Sequence, residues 1–134
     1  MEKDIEIVLG IVEYNGKFLV VKRAKKEGSL IWAFPGGKIE AGENETQALI
    51  REIKEETNII SEPVKKIGER IHPDTHIKSS YLVCKYKSGE IKPNLREVLE
   101  SKWASPQDII KLFSSDIFKP VCDYLLNADK FAKI

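Results

Sequence analysis

Asn44, Gln47 and Asn58 bracket one helix, and that helix constrains the chain more than any other segment. Asn44 suits the N-cap, and Gln47 three residues later completes a capping box. Asn58 suits the left-handed position just past the last turn. The spacing predicts a helix over residues 44–57. At about 100° per residue, Leu49, Ile50 and Ile53 share one arc and form a buried stripe. Glu52, Glu55 and Glu56 occupy an arc of similar width beside it. Carboxylates spaced i, i+3 and i+4 repel, at a cost of about a few tenths of a kcal/mol per pair. They also lie toward the helix C-terminus, where the macrodipole disfavours anions. Helix stability does not call for this arrangement, but a hard divalent cation does, because it takes carboxylate oxygens. The alternative is a solvated acidic face, partly neutralised by Arg51 reaching Glu55. Three neighbours favour the cation. The Gly36-Gly37 pair lets backbone approach a ligand closely. Ala48 leaves room beside the acids. The upstream basic stretch Lys22, Arg23, Lys25 and Lys26 suits an anion that a metal would bridge.

The remaining chain mixes strands and helices. Ile5, Ile7, Leu9 and Ile11 alternate as in a strand, Asn15-Gly16 marks a hairpin, and residues 17–22 form the return strand. Residues 25–29 read as a polar loop. Trp32-Ala33-Phe34 reads as a short strand halted by Pro35-Gly36-Gly37. Further strands are expected over residues 64–71, 80–86 and 98–104. Ser105 and Pro106 open a short helix as cap and first residue. A last helix is expected over residues 116–127, with Ile117, Phe118, Val121, Cys122 and Leu125 on one face. The class is α+β, or a sandwich with a mixed sheet. With 134 residues, a single domain spanning 1–134 is expected. Roughly two-thirds of such a chain's surface can be buried, enough for a core.

Hydrophobic residues make up 42% of the chain, which argues against disorder. A net charge of +1 argues against a nucleic-acid polymer or an anionic membrane as partner. The apolar run from Ile7 to Val12 is too short to span a bilayer, and Met1-Glu2-Lys3-Asp4 lacks the features of a signal peptide. Cys84 and Cys122 sit far apart in apolar surroundings, which fits reduced thiols and a cytoplasmic location.

Gly37, Glu43, the run Arg51-Glu52-Ile53-Lys54-Glu55-Glu56, Asn58 and Ile59 together resemble the Nudix box. Asn58 stands where that family usually has Gly. The stretch from Phe34 through Glu43 is similar to the MutT branch. The resemblance implies an α/β/α sandwich with a mixed sheet and an enzyme that hydrolyses phosphoanhydride bonds. It implies Mg²⁺, or Mn²⁺, held by the Gly37 carbonyl, Glu52, Glu55 and Glu56. Arg51 and Glu43 resemble the family's ion pair that orients loop and helix, so Glu52, Glu55, Arg51 and Glu43 form the expected catalytic group.

The same resemblance suggests substrate contacts. Arg23 stands where a cation would meet phosphates or a base, the alternative being a surface charge at a strand end. Gly36 brings backbone close to the ligand. Phe34 resembles a nucleotide-contacting position, while Trp32 reads as core. Glu97 or Glu100, ahead of Trp103, is a further metal ligand, general base or base-edge acceptor, with an exposed strand-edge acid as the alternative; Glu100 is placed with the substrate contacts. In MutT enzymes that read oxidised guanine, an Asn two residues before the final-helix Pro contacts the base. Phe118 holds that place before Pro120. The segment His72-Pro73-Asp74-Thr75-His76 reads as a loop rather than a metal site, because Pro73 prevents a shared helical face. The expected activity is cleavage of a nucleoside triphosphate to a monophosphate and pyrophosphate, in the manner of pool-sanitising enzymes. The alternatives are a nucleotide-binding module that no longer turns over, or a hydrolase of another nucleoside diphosphate derivative. The expected partner is a small nucleotide, and the chain is expected to be a monomer or homodimer.

Overall fold

The computed structural model describes residues 5–24, 28–113 and 117–132, with side chains of the last helix described through residue 127. Lys25, Lys26 and Asp116 therefore lie outside the described residues. Strands β1 (Glu6–Tyr14) and β2 (Lys17–Ala24) form a hairpin closed by Asn15-Gly16, both at positive φ. Then come β3 (Leu30–Ala33), β4 (Gly36–Lys38) and helix α1 (Glu45–Thr57). Strands β5 (Ile60–Ile71), β6 (Lys78–Ser88) and β7 (Glu100–Ala104) precede α2 (Pro106–Leu112) and α3 (Lys119–Ala132). The main sheet order is β3-β2-β1-β6-β5, with β4 paired to β1 and β7 to β2. β1 and β6 run parallel and the other pairs antiparallel, so the sheet is mixed and the fold is α+β.

Both faces of the sheet are covered. Val8, Val12, Leu19 and Leu82 pack with Ala48, Leu49 and Ile53 of α1. Ile11, Phe18, Val20 and Val83 pack with Ile109 of α2 and Val121 and Leu125 of α3. Two-sided cover explains why residues 7–12 are apolar without a break, where one-sided burial would ask for alternation alone. It also reassigns Ala48, which is fully buried in the core and leaves no space beside the acids. Ile50, expected in the buried stripe, is half-buried, whereas Glu56 is buried.

The helix boundaries follow local chemistry. Gln47 N–H donates to Asn44 Oδ1 at 2.8 Å, and Asn44 N–H to Gln47 Oε1 at 3.0 Å. Asn58 is left-handed at φ 69°, and its N–H reaches Lys54 O at 2.9 Å. Ser105 caps α2 with Pro106 in the first turn, as expected. The last helix begins at Lys119 rather than near residue 116, with Pro120 in the first turn, where its missing N–H costs nothing. Ile117 and Phe118 therefore precede the helix. Phe34 lies beyond β3, and Pro35-Gly36-Gly37 does not end the sheet. The chain re-enters it as β4 on the edge of β1, where Ile7, Val8 and Leu9 pair with Lys38, Gly37 and Gly36. No helix among the described residues is long and apolar enough to cross a membrane.

Gly10 is a point of close approach between α1 and the sheet. A Cβ there would stand 2.8 Å from Ile53 Cδ1 and 3.3 Å from Leu49 Cδ1. Gly10→Ala should therefore destabilise the protein by about 1–3 kcal/mol, the usual cost of overpacking. Ile53→Val removes the colliding methyl. In urea unfolding, the double variant should be more stable than the sum of the two single changes; strict additivity would mean that α1 does not seat on Gly10.

Candidate active site

The site is assembled around Arg51, on the outer face of α1. Its Nε donates to Glu43 Oε2 at 2.7 Å and its Nη2 to Glu43 Oε1 at 2.9 Å, a two-pronged pair. Nη1 donates to Glu52 Oε1 at 2.9 Å and to Glu55 Oε2 at 3.3 Å. Nη2 also reaches Lys38 O at 3.1 Å. These bonds occupy the five N–H groups of a guanidinium. One side chain thus joins the loop after β4, β4 itself and two acids of the helix. Its hydrogen bonds hold the Glu43 carboxyl down to about 2, helped by the Glu40 N–H at 2.9 Å. The same partnership pushes the Arg51 pKa up.

The three acids of α1 sit in different surroundings. Glu55 is exposed. The carboxyl of Glu52 lies against Gly37, where a Cβ would come within 2.5 Å of its carboxyl carbon, so that position must lack a side chain. Burial raises the pKa of Glu52, and the Arg51 hydrogen bond opposes the shift. Glu56 turns inward and is 2% exposed. Its Oε1 accepts the Gly36 N–H at 2.8 Å, and its Oε2 lies 2.9 Å from Arg23 Nη2. Burial pushes its carboxyl up to about 7, against the opposing charge of Arg23 and the Gly36 hydrogen bond.

A third acid joins Glu52 and Glu55 from outside the helix. Oxygens of Glu52, Glu55 and Glu97 lie within 4.8 Å of one another, a donor set suited to a hard divalent cation. Glu97 arrives because α1 leaves its last carbonyls unpaired within the helix. Glu56 O accepts Asn94 N–H at 3.0 Å, and Thr57 O accepts Lys92 N–H at 2.9 Å. Asn58 Nδ2 adds a bond to Glu90 O at 3.1 Å. A turn bonded from Glu97 N–H to Asn94 O then delivers the acid. Glu100, by contrast, is exposed in β7 opposite Lys22 and belongs neither to this cluster nor to the cavity described next.

On the α2 and α3 side of the sheet, a mostly apolar cavity opens between β3, β5 and the approach to α3. Phe34, Trp32, Phe113 and Phe118 line it, with Arg70 and His72 as polar members. Phe34 is 4% exposed and meets Phe113 edge-on at 4.8 Å. Trp32 is half-buried rather than core, with Lys102 Nζ 4.8 Å and Lys22 Nζ 5.7 Å from its ring. Phe118 packs over Gly68 and lies 5.1 Å from Tyr81, while Arg70 sits 5.0 Å from the Phe118 ring. Residues 72–76 form a turn in which His72 Nδ1 accepts Asp74 N–H at 3.0 Å. Arg70 and Phe113 carried no signal in the sequence, and His72 read only as part of a loop, because a strand end, a turn and a helix end meet there only in three dimensions.

Known proteins share this sequence pattern and fold. The NUDIX domain family matches residues 5–124. An ADP-ribose pyrophosphatase of Methanocaldococcus jannaschii is 32% identical over 120 residues, covering 87% of this chain and 70% of that protein. An 8-oxo-dGTP diphosphatase of Proteus vulgaris is 34% identical over 92 residues, covering 65% and 82%. A NUDIX hydrolase from Nitrosomonas europaea has the same fold, with a TM-score of 0.81 at 24% identity over 95% of this chain and 73% of that one. The chain belongs to the Nudix family, and its likeness is to the MutT-like members. It is an enzyme that hydrolyses phosphoanhydride bonds in small nucleotide substrates, in a family that generally depends on a divalent metal.

Two outcomes test the electrostatics. Arg51→Ala should lower the melting temperature by several degrees, and Arg51→Lys should not restore it, since a lysine cannot reproduce the fork. A melting temperature unchanged in Arg51→Ala would return Arg51 to a solvated face. Glu56 binds its proton more tightly folded than unfolded. Its contribution to metal-free stability is therefore full below about 4.5 and declines as pH rises to about 7. The loss is on the order of 3 kcal/mol. Denaturant titrations of the metal-free protein should show this decline, and Glu56→Gln should flatten it.

Proposed function

We propose that the protein is a Mg²⁺-dependent, or Mn²⁺-dependent, nucleoside triphosphate pyrophosphohydrolase that releases a monophosphate and pyrophosphate. The convergence of Glu52, Glu55 and Glu97 carries this reading. These three would hold the cation, with the Gly37 backbone beside Glu52 and with Glu56 near by. A cation bound there would offset phosphate charge and lower the pKa of an attacking water. Arg51 fixes the Glu52 and Glu55 carboxylates in direction, and Glu43 fixes Arg51 in turn. Arg23, on β2, lies 2.9 Å from Glu56 and suits the phosphate chain. The aromatic cavity suits a stacked base.

Phe118 lines that cavity where an amide would read an oxidised purine. An apolar wall discriminates between bases by only about 1–3 kcal/mol. The enzyme is therefore a comparatively tolerant triphosphatase. The name of the Methanocaldococcus jannaschii relative supplies the competing substrate, ADP-ribose.

Glu55→Gln and Glu52→Gln should each cut turnover by roughly two decades or more at saturating Mg²⁺, with folding retained because like-charge repulsion is relieved. Near-normal turnover in either would remove that acid from the cation site. The substrate class is read from kcat/KM for dGTP, dCTP, 8-oxo-dGTP and ADP-ribose, with products resolved. Triphosphates should differ from one another by less than roughly a thousandfold and all should exceed ADP-ribose. A dominant ADP-ribose activity would overturn the triphosphate reading, and a larger preference for 8-oxo-dGTP would show that a polar group reads the base.

A further inference from the structure

Arg23 and Arg51 are held in opposite ways. Arg51 has a partner for each N–H group. Arg23 Nη2 lies 2.9 Å from Glu56 Oε2, yet neither Nη2 nor the buried Nε has an aligned hydrogen-bond acceptor among the described residues. The guanidinium is thus held by charge more than by directed bonds, although a guanidinium forms strong two-pronged bonds when geometry permits. Glu56, for its part, is buried and also feels the negative charges of Glu52 and Glu97. Its carboxylate needs a positive partner, and among the described residues Arg23 is the one at contact distance.

We propose that Arg23 is an exchangeable counter-charge. It neutralises Glu56 while the site lacks a divalent cation, and it passes to the phosphate chain when substrate binds, leaving Glu56 to the cation that accompanies the phosphates. Phosphate oxygens offer the fork that the Glu56 contact does not. Charge stays balanced, because one positive partner leaves Glu56 as another arrives. In the absence of phosphate, Arg23 and a cation compete for the same carboxylate. The inference rests on hydrolysis of a phosphoanhydride and not on which nucleotide carries it.

The competition is measured by Mn²⁺ binding to the nucleotide-free protein at about pH 8, by calorimetry or electron paramagnetic resonance. Arg23→Gln should bind Mn²⁺ roughly tenfold more tightly than the parent. In a Glu56→Gln background the same change should alter affinity by less than about twofold, since the contested carboxylate is gone. An equal effect in both backgrounds would reduce Arg23 to a general positive charge and overturn the proposal. Arg23→Lys keeps the charge and should stay within about threefold of the parent. The phosphate side is read by NMR on the parent with Mg²⁺ present, so that a cation can take the place of Arg23 at Glu56. Inorganic tripolyphosphate should shift both the Arg23 Nε–H and the Glu56 side-chain carboxyl resonances, and Arg23→Lys should bind it more weakly. If tripolyphosphate binds while both resonances stay in place, the exchange does not occur. These readouts involve no turnover, so they stand or fall separately from the choice between a triphosphate and ADP-ribose.

Discussion

The guanidinium of Arg51 is the contact on which the site depends. Its plane fixes Glu43 on one side and the carboxylates of Glu52 and Glu55 on the other, with Lys38 O closing the set. Without it, two acids of one helix face would stand beside Glu97 and lose the cation that pairs with both of them. One positive charge does not balance Glu43, Glu52 and Glu55 together. The cluster keeps a negative excess, so it is ordered without a metal and still has the charge that suits a divalent cation. A lysine would bring the charge but not the five directed bonds, which is why the residue type matters here.

The second constraint is a helix end. The last carbonyls of any helix need outside partners. Here those of Glu56 and Thr57 are met by the backbone of Asn94 and Lys92, and the loop so captured carries Glu97 to the acids. Leu99 N–H then bonds Lys22 O at 2.7 Å, joining the same loop to β2, the strand that also bears Arg23. The two ends of the loop therefore fix the acid and the basic side of the site relative to each other. A requirement of secondary structure thus does the work of assembly.

What was legible in the sequence was what local chemistry decides. The capping box, the left-handed Asn58, the hairpin at Asn15-Gly16 and the Ser105–Pro106 helix start each depend on a few adjacent residues, and each is where the pattern put it. Strand β4 left no trace, because three residues with two glycines have no periodicity and it exists only by pairing with an open edge of β1. The choice between Glu97 and Glu100 was equally hidden. It depends on where the loop ends and β7 begins, which long-range hydrogen bonds decide. The helical wheel placed Glu56 beside the buried stripe, but an angle does not say what faces it. Only the approach of β2 and β4 turns that position into an interior one.

Glu55 and Glu56 show what this placement does to chemistry. They are neighbours in sequence, about 100° apart on the helix. Glu55 faces water and Arg51, while Glu56 faces Gly36 and Arg23 in the interior. A buried carboxylate is tolerated only when something neutralises it. For Glu56 three neutralising partners are available by chemistry: a proton, the Arg23 guanidinium, and a divalent cation drawn by the acids outside. Each excludes the others in part, since all act on one carboxylate. Under the proposed exchange, the inward turn of a single side chain couples proton binding, the position of Arg23 and metal affinity. The fold obtains that coupling from nothing more than the 100° step of a helix laid across Gly10.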